Sequence, residues 1–133
     1  MARKPSPTLT EAELRVMNVL WERGASTVND VLASLNESLS LSYSTVLTTL
    51  RILEQKGYIE HTKNGRAFLY TPLVNCSGAR RSALQHILDR FFDNSPELLV
   101  LNVMEQEGLN VADLQRLKLM LEENKEEGQR GGA

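Results

Sequence analysis

Residues 42–70 read S-Y-S-T-V-L-T-T-L-R-I-L-E-Q-K-G-Y-I-E-H-T-K-N-G-R-A-F-L-Y, one capped helix followed by one short hairpin, and the rest of the chain reads as their support. Ser42 has the side chain of an N-cap, whose hydroxyl accepts from a backbone N–H one turn in, and Gly57 is the residue that stops a helix after Lys56. At about 100° per residue, Val46, Leu50 and Leu53 share one face, and Ser44, Thr48, Arg51 and Gln55 share the opposite one. A surface that only keeps a helix soluble is rich in Glu and Lys. Ser, Thr, Gln and Arg are instead the side chains that meet base edges and phosphates. The spacing therefore predicts a DNA-recognition helix.

The hairpin follows at once. Tyr58 to Lys63 and Arg66 to Tyr70 are β-prone, and Asn64-Gly65 between them predicts the positive φ angles of a two-residue type I′ turn. Lys63 and Arg66 flank that tip, placed for a phosphate or a minor groove. A helix followed by a basic-tipped hairpin is the winged form of the helix-turn-helix. The plainer alternative for this stretch alone is an αββ piece of a small domain.

Upstream, residues 1–8 hold two prolines and two basic residues without periodicity and are expected to form a mobile arm; an inert terminus is the favoured reading, and DNA contact by Arg3 and Lys4 is the alternative. Thr10 opens a first helix with the capping box T-E-A-E, and Leu14, Met17, Leu20 and Trp21 are its expected core face up to Gly24. Ala25 and Ser26 allow a short extended link. Thr27 caps a second helix whose Val28, Val31, Leu32 and Leu35 recur at helical spacing. The polar run 36–41 is the turn before the recognition helix, so helices two and three are the helix-turn-helix pair.

The chain has 133 residues and a formal net charge of −2, which argues against a nonspecific polyanion binder. The charge is unevenly spread. Through Pro72 eight Lys/Arg face seven Asp/Glu, whereas after it seven face ten, so specific contacts must outweigh bulk electrostatics. No apolar run approaches the ~20 residues of a membrane span, and the N-terminus has no signal-peptide core, so a cytoplasmic protein without membrane association is expected. Cys76, His61 and His86 have no metal-ligand spacing, no cofactor motif is present, and the Ser and Thr residues lack a nucleophile constellation. A metal, a cofactor and an enzymatic activity are therefore not expected.

Beyond Pro72 the chain turns helical. A helix over about 77–93 presents Leu84, Ile87, Leu88, Phe91 and Phe92, and Ser95-Pro96-Glu97 starts another. Residues 98–104, including Leu98, Leu99, Leu101 and Val103, are apolar nearly all round apart from Asn102. Asn110 and Asp113 cap a last helix striped by Val111, Leu114, Leu117 and Leu121. So much apolar surface needs burial on more than one side, which a second copy of the chain provides. A homodimer through these helices is expected, matching a palindromic operator with half-sites about one turn, ~34 Å, or a multiple apart. The alternative is an intrachain core. The tail 128–133 is glycine-rich and expected to be disordered.

The runs L-T-E-A-E-L-R-V-M-N-V-L-W, Y-S-T-V-L-T-T-L-R-I-L-E-Q-K-G-Y-I, N-G-R-A-F-L-Y-T-P and L-V-L-N-V-M-E together resemble the penicillinase repressor family, BlaI/MecI/CopY, over nearly the whole chain. The resemblance implies a mainly α fold with a small β hairpin: a winged helix-turn-helix domain over 9–72 and a three-helix dimerisation domain over 73–127. It implies a homodimeric transcriptional repressor on an inverted-repeat operator, of a kind associated with β-lactam resistance operons or, in one branch, copper transport. Matched residue by residue, it places Ser44, Thr45, Thr48 and Thr49 at or near the base-reading surface and Arg66 in the wing, whereas the helical wheel alone turns Thr45 and Thr49 towards the core. With Ser42, Arg51, Gln55, Lys63 and Asn64 these make up the expected DNA-binding set. One departure is local: the family pattern has an arginine directly before the leucine matching Leu53, and here that position is Ile52, with Arg51 one earlier. The operator sequence does not carry over.

The resemblance also implies a switch. Members of the β-lactam branch are inactivated by proteolysis at an Asn-Phe bond, triggered through a membrane sensor protease, and the matching bond here is Asn102-Val103. The competing reading makes Asn102 a buried polar residue that specifies helix pairing. The copper branch ends in paired cysteines, and residues 122–133 contain none. A different class of reading, a winged-helix protein-interaction module without specific DNA binding, is disfavoured by the Ser44/Thr48/Arg51/Gln55 face.

Overall fold

Thr10 starts helix α1 (Glu11–Arg23) with a reciprocal cap: its hydroxyl accepts from the Glu13 N–H at 3.2 Å, and the Glu13 carboxylate accepts from the Thr10 N–H at 2.9 Å. The computed structural model describes residues 8–131, with side chains through Lys125, so Arg3 and Lys4 lie outside the described residues. The buried face of α1 is Glu13, Val16, Met17 and Leu20. This corrects the expected face: Leu14 is 42 % exposed and Val16 takes its place in the core. The cause is Glu13, which hydrophobic periodicity assigns to solvent. It is drawn inside by Lys56 Nζ at 2.7 Å, and that ion pair ties α1 to the end of helix α3 (Tyr43–Lys56). Burial alone would raise the Glu13 carboxyl; the hydrogen bonds from Lys56 and the Thr10 backbone, with the Lys56 charge, hold it below its ordinary value.

Helix α2 (Val28–Leu35) buries Val28, Val31 and Leu35 and repeats the capping box with Thr27 and Asp30. Asn36 then fixes the turn into α3, its side chain donating to Leu41 O at 2.9 Å and accepting from Leu41 N–H at 2.8 Å. Ser42 caps α3, Val46, Leu50 and Leu53 are its buried side chains, and Gly57 ends it in the left-handed conformation at φ 89°. Tyr58 and Ile59, both 1 % exposed, complete the core at the root of the hairpin. Burial raises the Tyr58 phenol, and the Glu13 charge adds to the effect.

The hairpin pairs β1 (Ile59–Asn64) with β2 (Ala67–Pro72), antiparallel, in the register Ile59↔Pro72 through Asn64↔Ala67. That register leaves Gly65-Arg66 as the two-residue loop and makes Asn64 the last residue of its strand. Gly65 alone in the loop has positive φ, 66°. The expected type I′ turn at Asn64-Gly65 is therefore corrected to a turn with glycine in its first central position, the pattern of type II′. The extended link also pairs: Ser26 and Tyr70 exchange backbone hydrogen bonds of 3.0 and 2.8 Å, so the α1–α2 connection backs β2. Trp21 Nε1 donates to Val74 O at 2.8 Å, holding the exit from the hairpin against α1.

Three further helices follow: α4 (Cys76–Phe91), α5 (Pro96–Glu107) and α6 (Val111–Gly131). Asp93 and Asn94 at φ 47° and 57° stop the chain from continuing α4, and Ser95 caps α5. Asn110 and Asp113 bond reciprocally at the start of α6, each backbone N–H donating to the other's side chain at 3.0 Å. The backbone of α6 stays helical to Gly131, past the expected boundary at 127, because a Glu- and Lys-rich run propagates helix and the interior Gly128 costs it only ~1 kcal/mol. The chain forms two compact units that divide after His86, inside α4 and not at the Pro72 linker. Ala79, in the first turn of α4, belongs to the core of the first unit.

Candidate nucleic-acid interface

Because Val46, Leu50 and Leu53 are sunk in the core at 1 %, 0 % and 0 % exposure, the opposite side of α3 is open. Ser44, Thr45, Thr48, Arg51 and Gln55 are exposed there, with Ile52 beside them. The hydroxyls at the start of α3 are linked: Ser42 Oγ lies 2.9 Å from Thr45 Oγ1 and 3.2 Å from Ser44 Oγ while capping the Thr45 N–H. Thr49 is half-buried, and its hydroxyl donates to Thr45 O at 3.0 Å. The structure thus brings Ser44, Thr45, Thr48, Arg51 and Gln55 onto one surface and sets Thr49 on its flank.

The hairpin presents Lys63 opposite Phe68, Asn64 opposite Ala67, and Arg66 in the turn itself, all exposed. Among the described residues none of Arg51, Lys63 and Arg66 takes part in an ion pair. These cations are available to an external anion. Between α3 and the hairpin runs a cleft of about 300 Å³ that both Arg51 and Arg66 line, with Asn29, Tyr43, Glu54 and His61. Sequence reasoning missed the last four. Tyr43 is 49 % exposed in the first turn of α3, and a hydrophobicity pattern counts it as apolar. His61 Nδ1 lies 2.7 Å from both Glu54 carboxylate oxygens, and its ring packs tilted against Phe68 and Tyr70, with ring centroids 4.7 and 5.7 Å away. Burial raises the Tyr70 phenol, with the Glu54 charge adding to the rise and the Arg51 charge opposing it.

The residues expected to dimerise are mostly bare. Leu84, Ile87, Phe91, Leu98, Leu101, Val103, Leu117 and Leu121 are exposed, Phe91 to 72 %; Leu99 and Leu114 are half-buried, and Leu88 is buried. Helix α5 has no buried residue. Asn102 is half-buried, its amide donating to Leu98 O at 3.0 Å, and Val103 is 43 % exposed. Among the described residues no helix is long and apolar enough to cross a membrane.

A helix-turn-helix whose last helix bares a hydrogen-bonding face beside a cationic two-stranded wing defines a winged-helix DNA-binding protein. The chain belongs to the penicillinase repressor family, whose model matches residues 9–123. It is 34 % identical over 122 residues to the penicillinase repressor of Bacillus licheniformis, covering 92 % of this chain and 95 % of that one. It is 26 % identical over 113 residues to the methicillin resistance regulatory protein MecI of Staphylococcus aureus, covering 85 % and 92 %. The solution structure of the DNA-binding domain of the repressor BlaI superposes with a TM-score of 0.52 at 37 % identity, covering 57 % of this chain and 93 % of that one. The family is one of transcriptional repressors, not enzymes, and this protein is a DNA-binding repressor.

Proposed function

We propose that the protein represses transcription as a homodimer on an inverted-repeat operator. The observation that carries this reading is the exposed Ser44/Thr45/Thr48/Arg51/Gln55 face of α3, set beside a wing whose Lys63 and Arg66 take part in no ion pair among the described residues. Arg51 and Gln55 suit bidentate contact with base edges, the hydroxyls of Ser44, Thr45 and Thr48 suit base edges or phosphates, and Lys63, Asn64 and Arg66 suit the sugar-phosphate backbone. Ser42 and Thr49 act through the helix, one as its cap and one on its flank. The bare apolar side chains of α5 and α6 support the dimer, since a second copy is the simplest cover for them. Such a repressor acts in the compartment that holds the DNA.

Derepression by cutting the Asn102-Val103 bond fits the same geometry. The bond lies in the middle of α5, so cleavage divides the helix that carries Leu98, Leu101 and Val103. A sensor-activated protease is the partner this requires. Hydroxyl-radical footprinting of the protein's own upstream region tests the DNA reading. Two protected patches on one face of the duplex, related by an inverted repeat, are expected; a uniform, sequence-independent pattern would contradict it.

A further inference from the structure

Glu54 lies one helical turn after Arg51 on α3, at the i,i+3 spacing where a carboxylate and a guanidinium on one helix commonly pair. They do not pair here. The Glu54 carboxylate is taken by His61 Nδ1, at 2.7 Å from each oxygen, across the Gly57 bend on the first strand of the wing. Both charged side chains line the same cleft as Tyr70. Arg51, Glu54, His61 and Arg66 line one cleft, so a released Glu54 would have two guanidinium groups within its surroundings.

From this geometry we infer that His61 is a positioning residue for DNA recognition: it holds the Glu54 carboxylate away from Arg51, leaving the guanidinium free for a base. Of β1 only Ile59 is buried, so beyond it the strand is held by its pairing with β2 and by the His61 contacts to Glu54, Phe68 and Tyr70. The imidazole thus contacts the Glu54 carboxylate on one side and the rings of Phe68 and Tyr70 on the other. Removing the imidazole would let Glu54 turn to Arg51 and convert a base-reading cation into half of an internal ion pair. The inference rests on the DNA-binding reading for its consequence, but not for the ion-pair exchange itself.

His61→Ala, His61→Asn, Glu54→Ala and the double variant His61→Ala/Glu54→Ala test it. His61 and Glu54 side chains are 38 % and 34 % exposed, so all four variants are expected to fold, checked by thermal melting. In DNA-free protein the Arg51 Nε–Hε NMR signal is expected to shift in His61→Ala and to return in the double variant. On the footprinted duplex His61→Ala is expected to bind about five- to tenfold more weakly, a fraction of what an arginine–base pair contributes. His61→Asn, which keeps an N–H donor near the Nδ1 position, and the double variant are expected to bind within about twofold of wild type, the Arg51 contact being intact in both. An Arg51 signal unchanged by His61→Ala overturns the inference whatever the duplex result. An equal loss of binding in His61→Ala and the double variant also overturns it, reducing His61 to a packing role. Wild-type protein without duplex preference would instead count against the repressor reading, and the Arg51 signal would still decide this one.

Discussion

Arg51 stands on the exposed face of α3 while Arg66 occupies a two-residue turn, and the proposed roles divide accordingly into base reading and backbone contact. Arg51→Ala is expected to cost about 1–3 kcal/mol on the specific site and to relax discrimination at one base position. Arg66→Ala is expected to weaken every duplex evenly and to lower the slope of log K against log salt by about 1. Equal, negligible effects in a salt-titrated binding assay would contradict both assignments. A second residue-scale prediction concerns Lys56 and Glu13. Lys56→Met leaves a carboxylate 6 % exposed whose remaining contacts among the described residues are with Thr10, and is expected to cost about 1–3 kcal/mol at pH 7. The Glu13 value is depressed in the fold, so its stabilisation is fully present above the ordinary value of 4.5 and is lost as pH falls through the depressed one. The penalty of Lys56→Met should therefore shrink in acid, which urea melts at pH 7 and pH 3 will read. The shared exposed face of Ser44, Thr48 and Arg51 was legible because a 3.6-residue period sorts a helix into faces. His61 and Glu54 were not, because a contact across a bend has no period.

At the scale of elements, caps and stops were written in single residues: Thr10 with Glu13, Ser42 and Gly57 all stand where their chemistry requires. Thr27 caps as expected, with Asp30 adding the return bond. The hairpin turn was misread because Asn-Gly is favourable in a type I′ loop, while the pairing of β2 with Ser26 and the core position of Tyr70 decide the register from outside the turn. A registry with Gly65 first in the loop follows. An added Cβ at Gly65 meets no atom within 4 Å, so any cost of Gly65→Ala is conformational, about 1–3 kcal/mol for a non-glycine residue held at positive φ. That variant is expected to loosen the wing tip, seen as faster amide exchange at Asn64 and Ala67, while leaving α3 unchanged. Slowed exchange there would refute the turn assignment. Leu14 misled for another reason: a buried ion pair turns α1 by roughly one position relative to its apolar pattern, and no propensity scale counts a paired glutamate as a core residue.

For the whole molecule, the surplus of apolar surface in the second half was legible as composition, but the division after His86 was not. A proline and polar linker at 72–77 is the usual mark of a boundary, yet the start of α4 packs with the winged helix through Ala79. Leu101→Glu places a charge on the bare face of α5, which contributes no buried side chain within the chain. It is expected to leave the melting of the winged-helix unit intact, to sediment as a monomer at micromolar concentration, and to lose high-affinity operator binding. Dimer persisting in equilibrium sedimentation would move the interface elsewhere. If cleavage at Asn102-Val103 is the switch, immunoblots of induced cells will show a shortened chain as target transcription rises; intact protein would remove it. The central claim, that this fold reads sequence and not charge alone, is tested most directly by fluorescence anisotropy on the protein's own upstream duplex and a scrambled duplex of equal length, at two salt concentrations. Binding at least ~10³ tighter to the upstream duplex, retained at the higher salt, is the predicted result; equal affinities that vanish together as salt rises would contradict the account.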